Sequence, residues 1–532
     1  MNYAEATESE FGGSCPALLE AAHPEVYWRN AFRVAALSVE ATPRDISRQA
    51  ERLRMMQTYN AKAASKTPLA LNPPPDEHAV REALHKLHDP EKRLIDEFFW
   101  FWPHQLGQSR ADEALALLAE DNIDQAAKGW LQMEESSEAY VSMHNLAVLF
   151  HCLALDWEQQ AFSRRLDKKE IETVQRYWED ALKRWKVLLE HEPFWSRLTA
   201  RIRALEDPRL TTGLARRMRV SLPLALLSIN ATLAVRYAEV GNFEMAERQL
   251  GIMGLWEGSL AQKALGDACE PLRQRIKSIC KNAESQANKD PTHGDKATRE
   301  VIVHTKSLLV ILDTLLSPGD SMRDAAHDEV AVCALYCQIL FGNKTKNWKI
   351  SLELLELALP IAVGQAARDR IQENITTVKG NLECGTCWFC QQNPAEDEAV
   401  CDVKMYGNVT RTPTQNGVEI QWRHLTVKVP RCARCNSAHN RQATCVVVGA
   451  VIGGMLGLAG CIADGLKHGA DVMLPDVFLG VVPAGIGAGI GAAIGVARRP
   501  KGVKPESAKG EFSSVKELLS QGWQFGERPA TQ

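Results

Sequence analysis

The sequence predicts a mainly α-helical chain with one small cysteine-bearing β module and, towards the carboxyl end, two apolar helices. Three observations predict this. From about 106 to 380, apolar residues recur every three or four positions and strand signals are scarce. Two C-x-x-C pairs, Cys387/Cys390 and Cys432/Cys435, bracket a run that alternates polar and apolar residues around a TQNG turn. Residues 446–463 and 477–497 contain no charged side chain.

Composition bounds the function. The 532 residues carry 62 Lys+Arg against 66 Asp+Glu, so no global field recruits nucleic acid, and any such role needs a local patch. The start, MNYAEATESEFGGSCPALLE, lacks a basic segment followed by an apolar run and does not read as a secretory signal. Of 14 cysteines, a dense group lies at 384–435, which favours thiolates on a metal over a disulfide framework and a reducing surrounding. The expected divisions are a 1–27 N-terminal tail, 28–104, 105–380, 381–441, 442–500 and a 501–532 C-terminal tail.

In 28–104, Asn30 and Phe32 open a first helix with Val34 and Leu37 on its apolar side. Thr42 is placed to cap a second, with Pro43 at its first position and Ile46, Ala50 and Leu53 at helical spacing. Asp89-Pro90 starts another, since Asp accepts orphan amides and Pro has none to lose. With Leu87, Lys92, Arg93 and Asp96, this pattern resembles a J-domain, the module by which co-chaperones stimulate an ATPase. The resemblance covers about a seventh of the chain. In that register the family's His-Pro-Asp falls on Thr58, Tyr59 and Asn60, and none matches. The resemblance therefore implies a degenerate J-like domain without the stimulating loop. The aromatic run FFWFWP at 98–103 reads as core packing against the chain downstream of it, with a partner-binding hot spot as the sharper alternative.

Three stretches in 105–380 resemble tetratricopeptide-type helix pairs: 113–155 around EDNID, 229–253 around EVGNFE, and 347–362. Ala238, Gly241, Phe243, Ala246 and Leu250 lie near that family's small and large positions, although the spacing between stretches is irregular. Stacked pairs imply a concave face for protein partners. His144, His151, Asp156 and Glu158 are the candidate acids and bases here, and their apolar neighbours favour core histidines over metal ligands. No phosphate loop, nucleophile elbow or kinase-like set is present, so no enzyme and no small-molecule substrate are expected.

The cysteine block carries the strongest chemistry. Two-residue spacing lets both thiolates of a pair point at one ion, and Cys387, Cys390, Cys432 and Cys435 together would satisfy tetrahedral zinc with no open position. Knuckle, hairpin, knuckle resembles a zinc ribbon, which implies a structural zinc cofactor. Cys384, which forms a further C-x-x-C pair with Cys387, and His439 stand as substitute ligands. Arg423, His424, Lys428, Arg431 and Arg434 make the module locally basic.

The two uncharged stretches fit spans of a hydrocarbon core, membrane contact running from 446 to 497. Arg434 and Arg441 precede them, Arg498, Arg499, Lys501 and Lys504 come after, and positive-inside logic faces the bulk of the chain to the cytoplasm. Gly453, Gly454, Gly457 and Gly460, with Gly485, Gly487, Gly489, Gly491 and Gly495, permit close helix association and self-assembly. In the tail, Val515, Leu518 and Leu519 share one side, and packing on the protein or lying at the membrane through Trp523 both stay open. The functional expectation is a non-enzymatic, membrane-tethered, co-chaperone-like adaptor with a structural zinc site. The alternative is a membrane-active effector whose glycine zippers oligomerise, and nucleic-acid binding through the ribbon is the weaker third reading.

Overall fold

A computed structural model describes residues 13–58, 69–134, 139–211, 213–414, 417–468, 493 and 500–529. These residues are mainly helical, with one three-stranded sheet. The chain divides into two compact units, Met1–Lys281 with Ile302–Glu329, and Asn282–Val301 with Val330–Gln532.

The first unit begins with α1 (Pro16–Ala21), α2 (Ala31–Ala35), α3 (Pro43–Thr58), α4 (Glu77–Lys86) and α5 (Pro90–Phe98). Caps define them. The Asn30 side chain accepts from the Phe32 and Arg33 amides, Thr42 Oγ1 accepts from Asp45 N at 3.3 Å, and Asp89 accepts from the Glu91 and Lys92 amides ahead of Pro90. Asp96, 2% exposed, ties α5 back to α2 and α4: its Oδ2 accepts from Ala31 N at 2.8 Å and its Oδ1 pairs with Lys86 Nζ at 2.6 Å. Thr58 ends α3, whereas Tyr59 and Asn60 lie outside the described residues.

Residues 13–27, expected as part of a tail, instead belong to the core. Leu18 and Tyr27 are fully buried, and Cys15 N donates to Ser221 Oγ at 2.8 Å. Apolar groups in CPALLEAAHPEVYW recur closely enough to bury one side of a short helix and the turn after it. The FFWFW run is likewise core: Phe98 stacks on Trp185 at 5.5 Å, Phe101 on Trp130 at 5.5 Å and Trp102 on Phe194 at 5.4 Å.

Onto this pack α6 (Glu113–Ala119), α7 (Ile123–Met133), α8 (Ala139–Ala161), α9 (Lys168–Glu190), α10 (Glu192–Ala204), α11 (Leu214–Glu239) and α12 (Phe243–Met253). Then come α13 (Gly258–Lys289), α14 (Gly294–Leu315), α15 (Ser321–Thr345), α16 (Trp348–Ala358) and α17 (Gln365–Gly385). The three tetratricopeptide-like stretches share one turn. A left-handed residue (Asp121, φ 63°; Gly241, φ 77°; Lys346, φ 57°) is followed by Asn122, Asn242 or Asn347 and then by a helix of 11 residues. Asn242 N bonds Tyr237 O at 2.8 Å and Asn122 N bonds Leu117 O at 2.9 Å, closing both preceding helices in the same way. Repetition is thus visible in local geometry where the spacing along the chain is irregular.

Among the described residues one helix, α11, is long and apolar enough to cross a membrane, and 72% of its most apolar window is buried within the protein. Its neighbours, including α12, account for that burial, as for a core helix.

The second unit contains a helical core around Leu335, Leu355, Ile371 and Ile375 and a separate cluster around the cysteine module. In the module, β1 (Cys401–Thr414) and β2 (Gly417–Val429) form the expected antiparallel hairpin, with Cys401 opposite Val429 and Met405 opposite Leu425. Cys401, Val403 and Met405 alternate inward and are buried. Helix α18 (Ala433–His468) comes directly after.

The tail packs on the protein. Helix α19 (Ser513–Ser520) buries Val515 completely against the module, and β3 (Gln524–Phe525) adds a third strand beside β1. A Cβ on Gly407 would lie 2.5 Å from the Trp523 ring, so only glycine admits that indole. Residues 501–529 therefore complete the module expected at 381–441. Of the two apolar stretches, the first forms the body of α18, and the second, apart from residue 493, lies outside the described residues.

Candidate metal centre

The hairpin register explains how two distant knuckles meet. Because Cys401 pairs with Val429, the chain on either side of the hairpin emerges at one edge, delivering 387–390 and 432–435 to the same place. Cross-bonds fix them there: Trp388 N donates to Pro430 O at 2.9 Å, Glu396 N to Arg431 O at 3.0 Å and Ala433 N to Glu396 Oε1 at 3.1 Å. Each knuckle closes on itself, Gln391 N reaching Cys387 O at 2.8 Å and Asn436 N reaching Cys432 O at 3.0 Å. Gln391 takes the left-handed backbone (φ 53°) that such a tight turn requires.

The ligand atoms of Cys387, Cys390, Cys432 and Cys435 all lie within 4.8 Å of one another, and Cys390 Sγ is 3.9 Å from Cys432 Sγ. Tetrahedral zinc with sulfur at 2.3 Å would hold its thiolates about 3.8 Å apart, so the cluster is close to the size the ion requires. Four sulfurs gathered in this way are compatible with a metal site.

The thiols of the cluster are not shifted alike. Burial alone raises the Cys432 thiol, but the Cys435 backbone amide and the Asn393 side chain, 3.6 Å from the sulfur, outweigh it and bring it down to about 7. Burial holds the Cys387 and Cys435 thiols above the usual range. A bound cation would draw all four to the thiolate form.

The substitutes fare differently. His439 is buried and used elsewhere: its Nε2 lies 3.0 Å from Lys504 O and its ring meets Phe389 edge-on at 4.7 Å. Helix geometry explains this, since α18 carries His439 one turn past Cys435 and onto the returning chain. The Cys384 side chain lies outside the described residues, although its backbone is in α17.

The acids and bases of the helical region do not converge. Tyr27 Oη is 3.1 Å from His151 Nδ1, and His144 Nε2 lies 2.8 Å from Phe98 O. Asp156 accepts from Arg33 Nη1 and Nη2, at 3.0 and 2.7 Å, and from Trp28 Nε1 at 2.7 Å. Glu158 receives Trp178 Nε1, Gln249 Nε2 and the Tyr237 hydroxyl. Each group is held by its own partner in the core.

Sequence reasoning missed three contributors to the metal site's surroundings: Asn393, Trp388 and Lys504. A signal existed for the second, because two large aromatics between paired cysteines demand a surface to cover them. Comparison with protein-family models, with curated proteins and with solved structures finds no match to this chain.

Proposed function

We propose that this protein is a non-enzymatic, membrane-tethered adaptor: a helical region that engages proteins, braced next to a bilayer by a metal-bearing module. The observation that carries the reading is the outer surface of α18. Val447, Val448, Val451, Ile452, Met455 and Leu456 are 49–67% exposed on a helix that leaves the four-thiolate cluster directly. An exposed apolar surface of this length on a soluble helix is costly, at about 25 cal/mol per Å2, and lipid removes that cost. Exposed Arg434 and Arg441 lie on the same helix before the apolar run, the arrangement that positive-inside logic asks for.

The shared Asn-started turns support a tetratricopeptide-like array, with protein partners on its open face. The capped helices α2 to α5 support a J-like domain. Thr58, Tyr59 and Asn60 stand where the stimulating tripeptide would, so this domain holds partners without exciting an ATPase. Zinc is the metal that a closed four-thiolate set fits best.

Flotation of the full-length protein with phosphatidylcholine–phosphatidylserine vesicles tests the tether, with a carbonate wash afterwards. Retention on the vesicles is expected, and full release to the supernatant would overturn the reading. Escape of an encapsulated dye from the same vesicles would replace the adaptor by the lesion-forming effector. Steady-state ATP hydrolysis by a heat-shock chaperone ATPase should be unchanged on adding the protein.

A further inference from the structure

The first C-x-x-C loop faces two ways. Its sulfurs point into the cluster, while Trp388 and Phe389 between them hold the chain on both sides of the apolar stretch. On one side, the Phe389 ring packs edge-on against His439 of α18 at 4.7 Å. On the other, Phe389 O accepts from Lys504 N at 2.7 Å, and Lys504 O lies 3.0 Å from His439 Nε2, so the leaving and returning segments also meet each other. Trp388 extends the grip. Its Nε1 donates to Ala508 O at 3.1 Å, its ring meets Phe512 edge-on at 5.5 Å, and Lys504 Nζ sits 3.9 Å from its centroid.

We propose that a metal ion in the four-thiolate site latches the neck of the apolar stretch through Trp388 and Phe389, so that loss of the ion releases residues 503–512 from the first C-x-x-C loop. The latch rests on the reading of the four cysteines as a metal site. Its physical basis is that these two side chains are aimed by the loop that carries them. That loop is a four-residue turn with one left-handed residue after it, and ligation at both ends would add to the backbone bonds that hold it. Once the thiolates part, Phe389 O and the Trp388 ring lose their positions together, and the stretch at 503–512 loses its attachments at Lys504, Ala508 and Phe512, while Val515, Trp523 and β3 keep theirs on the hairpin. Metal occupancy thereby sets how near to the apolar stretch the returning chain is held.

The test uses the full-length protein in detergent, loaded with zinc. Bound metal is counted by elemental analysis, and amide hydrogen exchange is followed before and after stripping with EDTA. On stripping, the amides of residues 503–512 should exchange at least tenfold faster while those of α16 and α17 keep their rates. Trp388→Ala, which leaves every thiolate in place, should keep the metal and show the same loss of protection. Metal that binds and strips while 503–512 stays protected overturns the latch and leaves the metal reading standing. Failure to bind any metal stoichiometrically overturns both. If stripping unfolds the whole module, the substituted protein decides: metal kept with the segment freed supports the latch, and metal kept with the segment protected overturns it.

Discussion

Two regions of this molecule gather the residue types from which chemistry is built, and they use them in opposite ways. In the first unit, His144, His151, Asp156 and Glu158 are each matched to a separate donor or acceptor, such as Phe98 O, Tyr27, Arg33 or Trp178. In the second, four sulfurs are turned towards one another. A buried polar group must be satisfied somewhere. Where each side chain has a partner of its own, even with the second ring nitrogen of His144 and of His151 left without one, the result is a core. Where the groups share one centre, the partner they call for is an ion.

The contrast is broken or sharpened most strongly by removing one sulfur. Cys432→Ser should lower metal affinity by about a hundredfold or more, since a structural zinc site is worth on the order of 10 kcal/mol and each thiolate carries a large share. Cys401→Ser, buried in the same module but outside the cluster, should leave the metal content unchanged. Equal loss from both would dissolve the distinction between ligand and core cysteine. Elemental analysis reads this directly.

In the first unit, Asp156→Ala strands the Arg33 guanidinium, which is 4% exposed. Breaking such a pair costs about 3–5 kcal/mol. The denaturation midpoint should fall accordingly while bound metal stays constant. A change in metal content would join two regions that otherwise act separately.

pH should act on the same unit. Burial depresses His144 to about 4 and His151 to about 3 from an ordinary 6.5, so both rings stay neutral in the fold. The unfolded chain binds protons that the native one refuses. Stability is therefore fully present above pH 6.5 and is lost as pH falls from there towards the folded values. At pH 5 the loss is on the order of 2 kcal/mol per ring. Guanidinium unfolding followed by tryptophan fluorescence at pH 7.5 and 5 measures it, and coincident midpoints would show that the rings take up protons without unfolding.

The smallest effect is expected at Gly407→Ala. The added methyl group meets Trp523 and should cost about 1–3 kcal/mol by overpacking. Proteolysis at 512–529 should accelerate while metal content is unchanged.

Much of the fold and of the site is legible in the sequence for a physical reason: ligand spacing, caps and turns are local. Cys387/Cys390 and Cys432/Cys435, Thr42-Pro43, Asp89-Pro90 and the hairpin turn each announce themselves within a few residues. The features that escape are long-range. A two-residue strand at Gln524–Phe525 has no periodicity to read, and residues 13–27 look like a tail until Leu18 and Tyr27 find a core. His439 has usable ligand spacing, but the packing of Lys504 and Phe389 takes it away. The array's regularity sits in its Asn-started turns and not in any fixed period.

The third strand of the small sheet has a consequence for biogenesis. Met405 pairs with Phe525 and Tyr406 with Gln524, partners separated by the whole apolar run. A ribosome makes that run before it makes β3, so the sheet can be completed only after the whole run has been synthesised. Joining partners so far apart adds little loop entropy, because that cost grows only with the logarithm of length. The sheet therefore closes last, and its closure reports that the chain has been made and folded through Phe525.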